Sequence, residues 1–198
     1  MADTGVVVDD VGRARCPWGA STPDYVRYHD DEWGRPVHGD DALFERITLE
    51  AFQSGLSWLT ILRKRPAFRA AFADFSIASV AAFGDEEAAR LMADAGIVRN
   101  RAKITATIQN ARAAHDLQAA EGRTALDRLV WSFAPDPRRE SARPRTSADL
   151  VATTAESTAL AKELKRRGFA FVGPTTAYAA MQACGLVDDH LVGCHRAA

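Results

Sequence analysis

The chain of 198 residues has no uninterrupted apolar run approaching the roughly 20 residues needed to span a bilayer. No membrane partner is therefore expected. The opening residues MADTGVVVDD are acidic and lack the basic region and apolar stretch of a secretory signal, so a cytoplasmic location is expected. Cysteine is scarce and odd in number: Cys16, Cys184 and Cys194. Three thiols in that compartment do not make a disulfide framework, which leaves plain burial or metal ligation. Positive charge is not in excess. A formal net charge of −1 excludes a globally basic nucleic-acid coat, though not a local basic face. Strand-like alternation is nearly absent, and no internal repeat stands out.

What is present is helical periodicity in a chain with 47% apolar residues. This predicts an all-α fold, a single domain of many short helices. Residues 1–15 read as a mobile tail and residues 16–198 as the domain. The central stretch is LFERITLEAFQSGLSWLTIL, residues 43–62. Leu43 and Ile47 share a helix face, and Glu50 falls on that same face. An unpaired buried carboxylate is costly. Glu50 therefore finds backbone or tyrosine donors, or it lines a pocket that meets a ligand. Asp40 or Asp41 is expected to cap this helix. Gly55 breaks it, and Leu56 beside the tight turn can project as a wedge. Ser57 then caps a second helix, expected to end at Arg63, Lys64 and Arg65 before Pro66.

Upstream, Trp18, Tyr25, Tyr28 and Trp33 cluster beside His29 and an acidic run. They read either as core packing or as a binding wall. Downstream, residues 76–83 and 85–95 read as short helices. A long helix bearing Ile104, Ile108 and Ala111 on one face should stop at Gly122, with His115 near its exposed end. The turn between these helices contains Gly96, with Arg99, Arg101 and Lys103 around it. Such a hairpin offers backbone N–H groups and a basic field to phosphate, although most Gly-containing helix turns bind nothing. A short helix carries Trp131. Residues 134–147, rich in Pro, Arg and Ser, read as an exposed loop. A helix over 155–167 and a last helix begun by Pro174 close the chain.

Cys16 and His29 lie near the start, and His190 and Cys194 near the end. Together they could supply tetrahedral S₂N₂ coordination to zinc. From spacing alone, buried cysteines and surface histidines are the simpler account, and His195 and Cys184 remain competing ligands.

The segments CPW at 16–18, YHDDEWG at 28–34, LEAFQSGLSW at 49–58, DAGIVRNRAKI at 94–104 and GFAFVGPTTAYAAMQACGLVDDHLVGC at 168–194 together resemble the DNA-3-methyladenine glycosylase I family, the TAG type of the helix–hairpin–helix superfamily. The resemblance covers Cys16 to Cys194. It implies one structural zinc ion held by Cys16, His29, His190 and Cys194, which reverses the simpler account. It implies a monofunctional enzyme of base excision repair. Such an enzyme acts on double-stranded DNA containing alkylated bases, releases 3-methyladenine and leaves an abasic site. The family's base pocket maps onto Trp18, Tyr25, Tyr28, Trp33, Glu50 and Trp58. On this reading Glu50 and Tyr28 recognise the base, Trp58 stacks on it, and Glu50 is the catalytic candidate. Gly55 and Leu56 correspond to the element that enters the duplex, and the Gly96 hairpin to the phosphate-binding one. A monomer is expected. The alternative is a non-catalytic zinc-containing DNA-binding module, which would not need Glu50 inside an aromatic pocket. The N-terminal tail and the Arg/Pro-rich segment 134–147 depart from the family pattern.

Overall fold

The helix α2 (Asp40–Gln53) is buried around most of its circumference. Leu43, Phe44, Ile47, Thr48, Leu49, Glu50, Ala51 and Phe52 are all within the core. A helix apolar on nearly every side must be surrounded by others, and the rest of the chain packs around it. The computed structural model describes residues 5–136 and 143–197. Among these residues the order is α1 (Pro23–Asp31), α2, α3 (Trp58–Ala71), α4 (Ile77–Ala81), α5 (Asp85–Ala93), α6 (Arg101–Glu121), α7 (Ala125–Trp131), α8 (Ala155–Arg166) and α9 (Pro174–Ala183). The all-α expectation holds. None of these helices is long and apolar enough to cross a membrane.

The N-terminal segment expected to be a mobile tail contains a short antiparallel pair, β1 (Val7–Val8) with β2 (Ala14–Arg15). Arg15 is buried there and pairs with both Asp9 and Asp30. Two-residue strands leave no alternation to read in the sequence.

Asp40 and Asp41 are not the cap of α2; Gly39, with φ 95°, occupies that position. The two aspartates serve other helices instead. Asp41 accepts from the N–H of Ile77 at the start of α4. The Asp40 carboxylate accepts from the backbone of Leu126 and Asp127 at the start of α7 and from Gln118 of α6. Asp127 in turn accepts the Gly39 N–H. The first turns of α2 and α7 thus satisfy each other's orphan donors.

Pro66 does not end α3. The helix runs through it to Ala71, because Pro66 is on an exposed face where solvent can satisfy the freed carbonyl. Arg63, Lys64 and Arg65 therefore sit mid-helix. Arg63 pairs with Asp24, Arg65 with Glu32, and Lys64 donates to the carbonyls of Ala95 and Gly96. After α3, Ala73, Asp74 and Phe75 all have φ of 51–57°, each a left-handed residue costing about 1–2 kcal/mol. The reversal stacks Phe75 on Phe72 at 5.7 Å, and Phe68 and Phe52 continue the aromatic column.

Replacing Asp40 with Ala leaves three donors without their shared acceptor and is expected to cost about 2–3 kcal/mol. Urea unfolding should show this as a lowered midpoint with unchanged slope, while the helical signal of the folded baseline stays at the parent level.

Candidate functional site

Thr22 caps α1 by accepting from the N–H of Tyr25, and Pro23 starts the helix. This directs Tyr25, Tyr28 and His29 inward, with Trp18 on the preceding 3₁₀ turn (Pro17–Ala20). Trp18 lies edge-on to Tyr25 at 5.7 Å and to Trp33 at 5.0 Å. Tyr28 meets Trp58, at the start of α3, with ring centroids 5.4 Å apart. Tyr28, Trp33, Trp18 and Trp58 thus belong to one aromatic cluster. Tyr25 also braces α3, since its hydroxyl accepts the Leu59 N–H at 3.0 Å in the first turn of that helix. Trp33 packs edge-on against His190 at 4.7 Å, so Trp18 and Trp33 bridge the aromatic cluster to the cysteine–histidine group described below.

Glu50 is 7% exposed, and its carboxyl accepts no hydrogen bond from any described residue. The structural account of Glu50, in which backbone or tyrosine donors satisfy it, therefore fails. Burial pushes its pKa up to about 8, with Arg46 one turn earlier pulling the other way. Arg46 is itself drawn off by Glu32, which it meets at 3.0 Å. Tyr28 is likewise pushed up by burial and by the charge of Glu50. The indole Nε1 of Trp58 is buried and has no acceptor. Among the described residues Glu50 and the Trp58 indole, both beside Tyr28, therefore lack hydrogen-bond partners, and so does Arg46 Nη1. Arg46 escaped the sequence reading. Its i, i+4 spacing from Glu50 on one helix was the available signal.

Cys16, His29, His190 and Cys194 come together, all buried, with one ligand atom from each lying within 4.8 Å of the others. Cys194 Sγ is 3.5 Å from His29 Nε2 and 3.6 Å from His190 Nδ1, and Cys16 Sγ is 3.8 Å from His190 Nδ1. The edges of a tetrahedron built on usual Zn–S and Zn–N bonds are roughly 3.3–3.8 Å, so the group can hold a metal ion. Each histidine has its other ring nitrogen engaged, as metal ligands require. His29 Nδ1 is 2.8 Å from Asp30, and His190 Nε2 is 3.3 Å from the Trp33 carbonyl. Burial would raise the Asp30 carboxyl, but hydrogen bonds from Arg15 and His29 hold it well below its usual range. The competing ligands are elsewhere. His195 binds the Ala14 carbonyl, and Cys184 is buried near Arg46 and Glu50.

Leu56 is 39% exposed, and Gly55 has φ 82°. Arg99 and Arg101 are exposed beside the α6 N-terminus, whose Lys103 N–H is already capped by Asn100. Two features of the Gly96 hairpin differ from the expectation. Lys103 does not face phosphate; it is buried, and its Nζ donates to the carbonyls of Phe52 and Ser54. Gly96 sits against Ala67 of α3, where a Cβ would come within 3.1 Å of that side chain. Lys64 binds its carbonyl and Asp94 its N–H. Sequence spacing could not distinguish a lysine reaching outward from one turned under its own helix.

The connection between α8 and α9 was expected only as the link between two helices. Asn110 of α6 pairs with both the N–H and the carbonyl of Ala170. Gly168 has φ 95°, and Phe171, at φ 56°, is 49% exposed. Gly173 leaves the start of α9 without a side-chain cap. The signal was present in Gly168, Gly173 and Pro174. Within the loop 134–147, Arg143 pairs with Asp188 at 2.8 Å, while Arg138 and Arg139 lie outside the described residues.

A folded protein that keeps Glu50 protonated up to about pH 8 holds a proton that the unfolded chain has lost above its ordinary value near 4.5. Stability must then fall as pH rises through that window. Glu50→Gln removes the effect. Its melting temperature should gain steadily on the parent's as pH is raised from about 5 to about 9. A constant difference would show that Glu50 ionises normally.

A family model described as methyladenine glycosylase matches residues 18–197. DNA-3-methyladenine glycosylase 1 of Escherichia coli (strain K12) is 47% identical over 180 residues, which is 91% of this chain and 95% of that protein. A crystal structure of 3-methyladenine DNA glycosylase I is similar with a TM-score of 0.87 and 44% identity, covering 93% of this chain and 100% of that one. A variant of 3-methyladenine DNA glycosylase I solved in complex with 3-methyladenine has a TM-score of 0.85 and 34% identity, covering 93% of this chain and 97% of that one. The fold, the identity and the matched length agree: the chain belongs to the methyladenine glycosylase family.

Proposed function

We propose that the protein is a monofunctional DNA glycosylase of base excision repair. It hydrolyses the N-glycosidic bond of 3-methyladenine in alkylated double-stranded DNA and leaves an abasic site. The observation that carries this reading is that the buried Glu50 carboxyl and the Trp58 Nε1, both beside Tyr28, have no partners among the described residues. A base must leave the stack before a protein can enclose it. An N3-methylated adenine is cationic while attached to the sugar. Aromatic faces attract such a cation more strongly in a desolvated site. A carboxylate adds Coulombic attraction and accepts from the base's amino group. Glu50 carries a proton in the empty recess, and the cationic base takes that proton's place as the neutralising charge. Water adds to C1′ as the C1′–N9 bond breaks. The base departs as a neutral molecule, so no strong general acid is needed. Glu50 is the catalytic candidate because its negative charge also faces the positive charge developing on the sugar.

The turn Gly55–Leu56 would fill the gap left in the duplex. Arg99 and Arg101 are exposed at the start of α6, the helix whose Lys103 bonds Ser54 at 2.6 Å. The uncapped start of α9 offers phosphate its free N–H groups. Gln109 and Asn110 tie that connection to α6, about 9–10 Å along the helix from Lys103. We assign the phosphate-binding hairpin to α8–α9, with Arg99 and Arg101 supplying a flanking basic field. Lys103 is committed to two carbonyls and supplies no nucleophile, so strand cleavage is not expected. The reading places the protein in the cytoplasm as a monomer.

Zinc fits the cysteine–histidine group in ligand type and spacing. With all four positions filled by protein, it would join the first and last segments and activate no water. One zinc ion per chain is expected by elemental analysis. Chelation should lower the melting temperature, whereas re-addition should restore it. For the activity, methylated duplex DNA should release 3-methyladenine while 7-methylguanine stays in place. Glu50→Gln should lower release by about tenfold or more. Equal release of both bases would show that the recess does not select, and no release by folded, metal-loaded protein would refute the glycosylase reading.

A further inference from the structure

Lys103 stands in the first turn of α6, where a positive side chain opposes the helix macrodipole. It is nevertheless only 8% exposed, and its Nζ donates to Phe52 O at 2.9 Å and Ser54 O at 2.6 Å. Phe52 O belongs to the last turn of α2, where a cation is favoured. Ser54 O belongs to a different object, the turn that leads into α3. Ser54 has φ −50° and ψ 117°, Gly55 has φ 82°, and the Leu56 N–H donates to Gln53 O at 2.7 Å. These values define a type II turn.

Types I and II differ by a flip of the central peptide, here the one joining Ser54 to Gly55. The flip reverses the direction of its carbonyl and leaves the flanking residues, Gln53 and Leu56, nearly in place. An ammonium fixed under Ser54 O is bonded in one of these states only. Gln53 closes the other side by donating to Leu56 O at 2.9 Å. Thr107 Oγ1 holds the Lys103 carbonyl, so the lysine backbone is itself braced.

We propose that Lys103 is a positioning residue for duplex engagement. Its ammonium ties the Ser54 carbonyl, and with it the whole 53–56 turn, to α6 and the end of α2, and so keeps the Leu56 wedge in register with Glu50 and Trp58. The register matters because Glu50 lies just before the turn on α2 and Trp58 just after it on α3. The proposal rests on the glycosylase reading and deepens it: recognition of the base and opening of the duplex become separable functions of adjoining residues. A single-stranded substrate has no stacked partner strand to part, so it has no use for the wedge.

The test compares the parent with Lys103→Met, Lys103→Arg and Gly55→Ala. Release of 3-methyladenine is followed under single-turnover conditions from methylated duplex and from the same strand alone. Binding of free 3-methyladenine is followed by tryptophan fluorescence. Loss of two charge-assisted hydrogen bonds in Lys103→Met should lower duplex release by about tenfold or more, against about twofold or less on the single strand and on free-base affinity. Lys103→Arg keeps the charge and the donors and should recover most of the duplex rate. Gly55→Ala meets nothing within 4 Å and strains only the positive φ, so it should reproduce the duplex-selective loss without touching the lysine. If Lys103→Met does not fold, Lys103→Gln, which removes the charge but keeps a polar side chain, is read in its place. An unchanged duplex-to-single-strand ratio in whichever of these two folds, whatever its melting temperature, overturns the proposal and leaves Lys103 a helix cap. Failure of the parent to release base from either substrate is a different result: it refutes the glycosylase reading itself, and the proposal with it.

Discussion

An ionisable carboxyl on the most buried helix, with no hydrogen-bond donor, sets the terms for the rest of the molecule. Keeping Glu50 charged in that position would cost on the order of several kcal/mol, and the protein holds it neutral instead. Arg46 opposes that condition, but other contacts weaken its pull. Arg46, the nearest cation on the same helix, is engaged by Glu32. Arg65 binds the same Glu32 through two nitrogens. Tyr28 presents a ring to Trp58 and donates no hydrogen bond to the carboxyl among the described contacts. A folded core retains an unsatisfied group of this kind when the missing partner arrives from outside.

The aromatic wall connects this recess to the cysteine–histidine group. Trp18 and Trp33 touch Tyr28 or the histidine ligands from opposite sides. Asp30 links His29 to Arg15, so the first ordered hairpin is joined to the same group. His190 and Cys194, at the far end of the chain, complete it. Closing the two termini over the aromatic cluster restrains the wall of the recess. That is a mechanical role for a group able to hold a metal ion with all four positions filled by protein.

The course of α6 shows how position along one helix separates roles. Its first turn reaches under the Gly55–Leu56 turn through Lys103, and its middle grips the α8–α9 connection through Asn110. The Gly55–Leu56 turn and the α8–α9 connection are therefore both fastened to one helix. The Gly96 turn is fastened to α3 by Lys64 and by close packing on Ala67. Arg99 and Arg101, which follow it, are left exposed.

Helical periodicity, glycine and proline positions and residue chemistry were enough to determine the all-α class, the central helix around Glu50, the stop at Gly122 and the exposed His115. Those properties are local: they depend on neighbours three or four residues apart. The grouping of Cys16 and His29 with His190 and Cys194 needed the motifs of the whole chain, since spacing left Cys184 and His195 open. Tertiary structure alone decided the rest. Asp40 and Asp127 cap each other's helices across 87 residues of chain, the basic run before Pro66 turned out to be mid-helix, and Lys103 turned inward. A long side chain or a carboxylate has several acceptors or donors within reach, and which one it takes depends on elements distant in sequence. The sequence names the groups that can bond; packing selects the partners.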